Sequence, residues 1–459
     1  MTQSTGSTPK TPVILASVQL PGISDIEHQA SLDELERLCS TLGLVTLGRV
    51  SQKRKAIATG TIFGEGKLRE LATWTGGTGI VRGFRKAGDR DDDDETEFAD
   101  LQSFIDLDDS AEDQSEKAEI VVFDCEMTPT QLRNLEEATG VEVLDRSGVI
   151  LEIFSRHARS REARLQVEIA KLAYLAPRLR ESHVGGDRQG GGIGAKGAGE
   201  SAHELDRRRV RDRIAELRQQ LESIRHEQLT RRANRQEAPC VALVGYTNAG
   251  KSSLMRALTG SAVLVENKLF ATLDTTVRAL QPESVPRILI SDTVGFIKKL
   301  PHDLVASFRS TLDEALSASL LLFTVDASDA NFRSQIEVTR QVLEEIGATE
   351  TASRLILNKC DQVTAAEKAA LASEFPDAIF ISTRNSDDVS RVREIIRGYF
   401  EKDMSDREIL IPYSKGKVLG MIRERARVVG ESHENEGTKV TVRADSNVFA
   451  WIEKQLKEK

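Results

Sequence analysis

The first 150 residues alternate short apolar runs with longer segments in which apolar side chains recur every three or four positions. The short runs predict strands at residues 13–20, 43–50, 80–81, 120–124 and 141–144. Helices are predicted between them, over residues 31–42, after Gly66, and from an N-cap at Thr128 to a terminating glycine at Gly140. This alternation predicts an α/β domain with a parallel sheet over residues 1–148.

The pattern changes after residue 149, where two apolar stripes at helical spacing flank a loop. The first stripe is Leu165, Ile169, Leu172, Ala176 and Leu179, and the second is Val210, Ile214, Leu217, Leu221 and Ile224. They predict an antiparallel helical hairpin over residues 149–237, with a coiled-coil-like seam. Residues 238–403 predict a third domain with a mostly parallel sheet, and residues 404–459 a small C-terminal α/β domain. The expected class is therefore a multidomain α/β protein.

The loop of the predicted hairpin, residues 185–200, is rich in glycine. Eight of the residues from 185 to 199 are glycine, which is more backbone than a connection between helices requires. Residues 151–237 also carry a net charge of +6. Two interpretations stay open: a flexible linker beside a solvated charged face, or a surface that approaches RNA phosphates. The candidate RNA-binding residues are Arg188, Gly191, Gly192, Lys196, Arg207 and Arg208.

Charge adds one further feature to this organisation. The whole chain carries −9, but residues 89–116 alone carry −13, so the remainder carries +4. We therefore interpret residues 88–117 as an acidic insertion, a solvated loop in the N-terminal domain. No apolar run approaches the roughly 20 residues of a membrane span. The four cysteines form no close pair, which favours reduced thiols in a cytoplasmic protein over a metal site or a disulfide.

The clearest chemical signal is the segment GYTNAGKS at residues 245–252, which lies between an apolar run and a helical pattern. In this context the GxxxxGK[ST] spacing predicts a phosphate-binding loop. Its backbone N–H groups surround a polyphosphate, Lys251 reaches the β- and γ-phosphate oxygens, and the Ser252 hydroxyl ligates Mg²⁺. A DxxG motif follows, in which Asp292 holds Mg²⁺ through a water and the Gly295 N–H contacts the γ-phosphate.

The base is predicted by the segment NKCD at residues 358–361. The Asp361 carboxylate accepts two hydrogen bonds, from N1–H and the 2-amino group of guanine, which adenine does not offer. Lys359 lies across the ring. Discrimination of this kind is worth ~10⁴-fold or more. A later strand ends in Ser382-Thr383-Arg384, whose backbone N–H groups are placed to contact guanine O6, so the motifs predict a site for GTP and GDP.

The segment between the two magnesium motifs, residues 270–276, supplies a threonine that ligates Mg²⁺ only when a γ-phosphate is present. Thr272 is our first choice for this role and Thr276 is the competitor. Phe296 follows the DxxG motif, at a point where many GTPases carry a glutamine that orients water. Because phenylalanine cannot orient a water, we expect slow intrinsic hydrolysis that a partner accelerates.

The predicted site has three overlapping groups of residues. The catalytic candidates are Lys251, Thr272 and Gly295, and the Mg²⁺ candidates are Ser252, Thr272 and, through a water, Asp292. The GTP-binding candidates are Gly245, Tyr246, Thr247, Asn248, Ala249, Gly250, Lys251, Ser252, Phe270, Ala271, Thr272, Leu273, Asp274, Asp292, Thr293, Val294, Gly295, Asn358, Lys359, Cys360, Asp361, Ser382, Thr383 and Arg384.

With these motifs the chain resembles the HflX family of GTPases, and the resemblance extends over most of its length. The segments that match the family closely are residues 64–67, 121–124, 144–146, 166–168, 177–179, 190–200, 206–208, 245–252 and 270–274. Ala198, Thr275 and Thr383 stand where the family has Pro, Pro and Ala, and the acidic segment is an insertion. None of these departures removes a chemical group that nucleotide binding needs.

The resemblance implies binding to the large ribosomal subunit and its ribosomal RNA, near the peptidyl-transferase centre, through the N-terminal domain and hairpin. In the family, the GTP-bound form splits stalled or idle ribosomes, often under heat stress, and the ribosome stimulates hydrolysis. Some members also hydrolyse ATP. Two other functions stay open: a large-subunit assembly or anti-association factor gated by GTP, and an ATP-driven RNA remodeller, against which Asn358 and Asp361 argue. We expect a monomer that binds no DNA.

Overall fold

The computed structural model describes residues 11–81, 116–178, 202–233, 239–261, 269–270, 276–285, 287–299, 316–348, 350–402 and 404–457. The chain divides into two compact units, residues 1–156 with 164–219 and residues 157–163 with 220–459. The multidomain α/β class is confirmed, whereas the boundaries at residues 148, 237 and 403 stay predictions. No helix in these ranges is both long and apolar enough to cross a membrane.

The first unit is built on a parallel sheet. Its strands are β1 (Pro12–Gln19), β2 (Val45–Lys53), β3 (Ile120–Phe123) and β4 (Glu142–Asp145). They lie in the order β2-β1-β3-β4, and all three pairings are parallel. Side chains on both faces of β1 are buried, which is why its sequence PVILASVQ is a nearly continuous apolar run.

Helices connect these strands and continue beyond them. They are α1 (Asp25–Thr41), α2 (Glu65–Thr75), α3 (Pro129–Thr139), α4 (Arg146–His157), α5 (Arg161–Leu175) and α6 (Ala202–Ala233). Thr128 caps α3 in a reciprocal capping box with Gln131, and Gly140 ends it with a left-handed φ of 72°. Both ends of α3 therefore lie where the sequence predicted them.

The strand predicted at residues 80–81 is wrong. These residues have no strand structure, and Ile80 is 58% exposed. The Gly79 N–H donates a 2.8 Å hydrogen bond to the Ala138 carbonyl, so the segment is attached to the last turn of α3. Two apolar residues are too few to distinguish a strand from such a loop.

A buried ion network lies where β3 and β4 end. The Arg146 guanidinium, which is 1% exposed, donates hydrogen bonds to Asp124 at 2.8 Å and to Glu34. Ser31 donates a further hydrogen bond to Asp124 at 2.5 Å. A buried charge is tolerated only when opposite charges and hydrogen bonds surround it, and here two carboxylates face one guanidinium. The network therefore joins α1 and α4 to the end of β3.

A second set of polar contacts ties the end of α5 to the same sheet. Asp145, the last residue of β4, accepts hydrogen bonds from the Tyr174 hydroxyl at 2.6 Å and from the Arg178 guanidinium at 2.7 Å. The guanidinium also stacks on the Tyr174 ring, 3.3 Å from its centroid. Burial, with Asp145 adding to it, raises the pKa of Tyr174, so the hydroxyl remains a donor at every physiological pH.

Helix α5 carries Leu165, Ile169 and Leu172 of the first predicted stripe, and α6 carries the second stripe. Leu165 on α5 and Leu217 on α6 are buried, whereas the residues flanking Leu217 are exposed. Arg213 on α6 donates two hydrogen bonds, of 3.0 and 2.8 Å, to Glu168 on α5, which places the helices side by side. The connecting loop, residues 185–200, lies outside the described residues, so the hairpin stays a prediction.

The second unit contains a six-stranded sheet. Its strands are β5 (Cys240–Val244), β6 (Thr276–Ala279), β7 (Leu289–Asp292), β8 (Leu320–Asp326), β9 (Ser353–Asn358) and β10 (Ile379–Phe380). The order is β10-β9-β8-β5-β7-β6, and every pairing is parallel except that of β6 with β7. Since β5 lies between β7 and β8, the chain reverses direction across the sheet there. Open α/β sheets bind ligands at the carboxyl ends of the strands at such a point.

The helices of this sheet are α7 (Lys251–Thr259), α8 (Phe332–Ile346), α9 (Ala365–Glu374) and α10 (Ser386–Glu401). The chain then continues through β11 (Ser405–Pro412), α11 (Gly416–Arg425), β12 (Arg427–Glu434), β13 (Gly437–Ala444) and α12 (Ser446–Lys457). The last three strands form an antiparallel sheet in the order β11-β13-β12. Alternate residues of β13, Val440, Val442 and Ala444, pack in the core of this sheet.

Replacing Arg146 tests the buried ion network. Arg146→Met keeps the length of the side chain but leaves Asp124 and Glu34 without their cation. We expect a loss of about 3–5 kcal/mol in the free energy of unfolding of the N-terminal sheet. The chain has two tryptophans, Trp74 and Trp451. In a Trp451→Phe background, fluorescence of Trp74 during urea unfolding reports that sheet.

The matched control for this measurement is Arg69→Met. Arg69 lies on α2 and forms an exposed pair with Glu65 at 3.8 Å. Exposed pairs contribute little, so its loss should change the same free energy by less than about 1 kcal/mol. Equal effects of the two substitutions would show that the buried network does not stabilise this sheet.

Candidate nucleotide site

The loop at residues 245–250 connects β5 to α7 with almost no space around its glycines. Gly245 has φ of 146°, and a Cβ there would lie 2.1 Å from the carbonyl oxygen of Thr324 on β8. Gly250 has φ of 93°, and a Cβ there would lie 2.2 Å from Nδ2 of Asn358 on β9. Both positions therefore require glycine, for backbone conformation and for space.

Lys251, the first residue of α7, is 6% exposed. Its ammonium group donates to the carbonyl of Gly245 at 3.0 Å and to that of Tyr246 at 2.7 Å, which holds it within the loop. Burial lowers the pKa of Lys251 to about 8, and the nearby Asp292 offsets part of that effect. A buried ammonium beside neutral carbonyls is electrostatically suited to an anionic ligand.

Ser252 and Asp292 meet at the carboxyl ends of β5 and β7. The Ser252 hydroxyl donates a 2.8 Å hydrogen bond to the Asp292 carboxylate, which is fully buried at the end of β7. A hydroxyl oxygen and a carboxylate are hard oxygen donors of the kind that Mg²⁺ prefers. The donor chemistry of this pair therefore fits the metal that the sequence predicted.

The segment after Asp292 runs back against the phosphate-binding loop. The Thr293 hydroxyl donates to the Leu243 carbonyl of β5 at 2.7 Å, and Val294 is 6% exposed. Gly295 follows. A Cβ on Gly295 would lie 2.8 Å from the Cα of Thr247 and 3.0 Å from the ammonium nitrogen of Lys251. The two predicted phosphate-contacting segments are therefore adjacent in space.

Phe296 is 2% exposed and forms an isolated parallel bridge with Tyr246. Its carbonyl accepts a 2.8 Å hydrogen bond from the Thr247 N–H, and its N–H donates to the Gly245 carbonyl at 3.2 Å. The Tyr246 hydroxyl accepts a further 2.6 Å hydrogen bond from the Lys298 N–H. Hydrogen bonds at Phe296 and Lys298 thus hold this segment against the phosphate-binding loop, with the phenyl ring buried.

The base-recognition loop begins at the end of β9. The Asn358 amide donates to the Ala249 carbonyl at 2.9 Å and its carbonyl oxygen accepts from the Thr383 N–H at 3.3 Å. Lys359 has a left-handed φ of 60°, which side-chain-bearing residues rarely adopt. The next residue, Cys360, is half-buried and its N–H donates to the Ile381 carbonyl at 3.1 Å. These bonds hold the strained turn in place.

Asp361 lies between this loop and the segment after β10. Its carboxylate accepts a 2.8 Å hydrogen bond from the Ser382 hydroxyl and faces the exposed guanidinium of Arg384 at 3.5 Å. The Arg384 N–H in turn donates to the Ser382 hydroxyl at 3.3 Å. The structure therefore brings the two predicted base-contacting segments together, although they are 21 residues apart in sequence.

Asp326 is a member of this site that the sequence analysis missed. It ends β8 and accepts a 2.6 Å hydrogen bond from the Lys359 ammonium group. Ser328 donates to the same carboxylate through its N–H and its hydroxyl, at 3.0 and 2.6 Å. The available signal was a seven-residue apolar strand that ends in an aspartate, which in a parallel sheet points to the ligand edge.

Several predicted residues lie outside the described part of the chain: Ala271, Thr272, Leu273, Asp274, Arg188, Gly191, Gly192 and Lys196. Phe270 is described; it is buried and has a left-handed φ of 57°. Thr276, the competitor of Thr272, is the first residue of β6. Arg207 and Arg208 lie on α6, where both side chains are exposed.

Comparison with known protein families matches three segments of the chain. A family model described as "GTP-binding GTPase N-terminal" matches residues 29–81 and 106–155, and one described as "GTP-binding GTPase Middle Region" matches residues 157–235. A model described as "50S ribosome-binding GTPase" matches residues 240–359, which contain the phosphate-binding loop and the first two residues of the NKCD segment.

Relatives that align with most of the chain are named GTPase HflX. The GTPase HflX of Gluconacetobacter diazotrophicus is 54% identical over 96% of this chain and 97% of its own length. The GTPase HflX of Caldanaerobacter subterraneus is 38% identical over 91% of this chain and 88% of its own. Among solved structures, a GTP-binding protein from Sulfolobus solfataricus in complex with GDP covers 84% of this chain and 99% of its own at 21% identity. Its TM-score is 0.43, so this likeness carries no argument about function.

The lowered pKa of Lys251 predicts that nucleotide affinity depends on pH. Phosphate stabilises the charged ammonium, so binding raises the pKa above the value of about 8 in the free protein. Above about pH 8 a proton must then be taken up when GDP binds, and the affinity falls as pH rises. We expect the dissociation constant of a fluorescent GDP to increase between about pH 7 and about pH 8.5.

Calorimetry in two buffers of different ionisation enthalpy checks the origin of this dependence. At about pH 8.5 the difference in binding enthalpy between the two buffers should correspond to proton uptake by the protein, and at about pH 7 this difference should be small. Proton release, or a dissociation constant that is flat across this window, would contradict the assignment to Lys251.

Proposed function

The chain belongs to the HflX family of GTPases, and from this premise we propose that it binds the large ribosomal subunit and splits stalled or idle ribosomes. The chain binds guanine nucleotide and hydrolyses GTP to GDP and phosphate. In the proposed cycle the GTP-bound form docks and separates the subunits, and hydrolysis triggers release. We propose that the protein acts on ribosomes as a monomer in the cytoplasm.

The observation that supports the nucleotide part most strongly is the convergence of four loops on one edge of a sheet. Lys251, Asp292, Asp326 and Asp361 all lie at or just beyond the carboxyl ends of parallel strands. We propose that Asp361 accepts hydrogen bonds from guanine N1–H and its 2-amino group, and that Lys359, held by Asp326, covers the ring. Adenine lacks this pair of donors and would leave Asp361 unpaired.

At the phosphate end, we propose that Lys251 neutralises charge on the β- and γ-phosphates and that the Gly295 N–H donates to a γ-phosphate oxygen. Mg²⁺, held by Ser252, Thr272 and, through a water, Asp292, would neutralise further phosphate charge. Release of Thr272 after hydrolysis would distinguish the GDP form from the GTP form. Because the ring of Phe296 is buried and cannot orient water, intrinsic turnover should be slow.

Two features support ribosomal RNA as the partner. Arg207 and Arg208 are exposed on α6, directly after the glycine-rich segment, and guanidinium groups suit phosphate recognition. The family model that matches residues 240–359 is described as a 50S ribosome-binding GTPase. We propose that Arg188, Gly191, Gly192 and Lys196 extend this contact surface. A GTP-gated assembly or anti-association factor for the large subunit is the alternative.

Sedimentation of intact ribosomes separates these two functions. Ribosomes are incubated with the protein and GTP, a non-hydrolysable GTP analogue or GDP, and the subunits are resolved on a sucrose gradient. Splitting predicts free subunits with GTP and with the analogue but not with GDP, and retention of the protein on large subunits only with the analogue. Binding confined to free large subunits, with intact ribosomes unchanged, would support the assembly factor. Adding large subunits should also raise the GTPase rate.

Asp361→Asn tests the base assignment. Asparagine replaces an acceptor with a donor, so guanine loses a charge-assisted pair and xanthine, with a 2-oxo group, gains a partner. We expect GTP affinity to fall at least about 100-fold and xanthosine triphosphate to bind more tightly than GTP. The control, Asp377→Asn, changes an exposed aspartate before β10 and should leave both affinities unchanged. Unaltered GTP affinity in Asp361→Asn would refute the assignment.

A further inference from the structure

Thr247, the third residue of the phosphate-binding loop, carries a buried hydroxyl that no sequence motif assigns to a role. The residue is 6% exposed. Within the described part of the chain, its hydroxyl oxygen is buried and has no hydrogen-bond partner. Burying a hydroxyl without a partner is unfavourable, whereas a valine of the same shape would carry no such penalty. This arrangement points to a partner that arrives with the ligand.

The methyl group of Thr247 lies where two of the proposed phosphate-contacting residues, Lys251 and Gly295, approach each other. A Cβ on Gly295 would lie 2.9 Å from the Thr247 methyl carbon and 3.0 Å from the ammonium nitrogen of Lys251. The hydroxyl is attached to the same carbon as that methyl group, so it lies next to this contact. Lys251, Gly295 and Thr247 are thus neighbours at the proposed γ-phosphate position.

The backbone of Thr247 is fixed independently of its side chain. Its N–H donates to the Phe296 carbonyl at 2.8 Å. Phe296 occupies the position where many GTPases carry a water-orienting glutamine, and its ring is buried. Thr247 is therefore hydrogen-bonded to the residue at the glutamine position, and it carries a polar group that Phe296 lacks.

We propose that the Thr247 hydroxyl orients the water that attacks the γ-phosphate. It accepts a hydrogen bond from that water and donates its own proton in a hydrogen bond to a γ-phosphate oxygen. The water oxygen forms a bond to the γ-phosphorus as the bond to the β–γ bridging oxygen breaks, and the water protons pass to phosphate. Thr247 itself is unchanged. This role rests on the proposed binding of GTP in this site.

The test compares Thr247→Val, which removes only the hydroxyl, with Thr247→Ser, which keeps it. Single-turnover GTP hydrolysis is measured on the full chain with enzyme in excess and without ribosomes. We expect the rate constant of Thr247→Val to fall about tenfold or more, because loss of one positioned hydrogen-bonding group reduces catalysis by that order. Thr247→Ser should stay within about threefold of the parent, and the affinities of both variants for GDP, which lacks a γ-phosphate, should change less than about twofold.

Thermal stability distinguishes the proposed role from a structural one. If the hydroxyl only stabilised the fold, Thr247→Val would lower the melting temperature. Thr247→Val should leave the melting temperature of the nucleotide-free protein unchanged or raise it, because an unpartnered buried hydroxyl is lost. The matched control is Thr339→Val on α8, where the buried hydroxyl donates to the Gln335 carbonyl at 2.8 Å. That variant should lower the melting temperature and keep the parent rate.

Three results would overturn the proposal: a parent-like rate in Thr247→Val, an equal loss in Thr247→Ser, or a loss of GTP affinity with the rate constant preserved. The last would assign the hydroxyl to ground-state phosphate binding. The experiment is independent of the proposed partner, since it uses no ribosomes. If ribosomes fail to split, the proposed function is refuted, but the role of Thr247 can still be tested. If the protein fails to bind GTP, the proposed function and the role of Thr247 are both refuted.

Discussion

The hydrogen bond from the Asn358 amide to the Ala249 carbonyl joins the two loops on which nucleotide recognition depends. One loop follows β5 and the other follows β9, and β8 lies between these strands. Because Asn358 and the Thr324 carbonyl approach so closely, Gly250 and Gly245 have no room for a side chain. Tight packing of three neighbouring strands therefore sets the distance between the phosphate end of the site and the base end.

Buried charge has different consequences in the two units. Arg146 in the first unit is surrounded by two carboxylates, so its charge is balanced within the protein and its effect is structural. Lys251 in the second unit contacts neutral carbonyls, and burial lowers its pKa, an effect that the nearby Asp292 offsets only in part. An incompletely balanced cation at a ligand edge favours an anion, which is the electrostatic basis of phosphate binding in this fold.

The segment from Gly295 to Lys298 lies against the phosphate-binding loop. Its backbone is hydrogen-bonded to the phosphate-binding loop through Phe296 and Tyr246, so the two move as neighbours. In the proposed site, a γ-phosphate would lie where Gly295 approaches Lys251. Small shifts at such a close contact are transmitted because packed backbone cannot deform continuously.

The spacing of residues along the chain determined much of the local structure. Glycine loops, helix caps and base-recognition motifs can be predicted in this way because they depend on local backbone geometry. The capped helix from Thr128 to Gly140 and the loop at residues 245–252 were both predictable in this way. Only the tertiary structure decided which distant side chains meet. Asp326 reaches Lys359 across neighbouring strands, Arg146 pairs with Glu34 from 112 residues away, and Thr247, whose hydroxyl is buried, packs against Gly295. Burial and pairing of this kind follow from strand order and close packing, which no local pattern encodes.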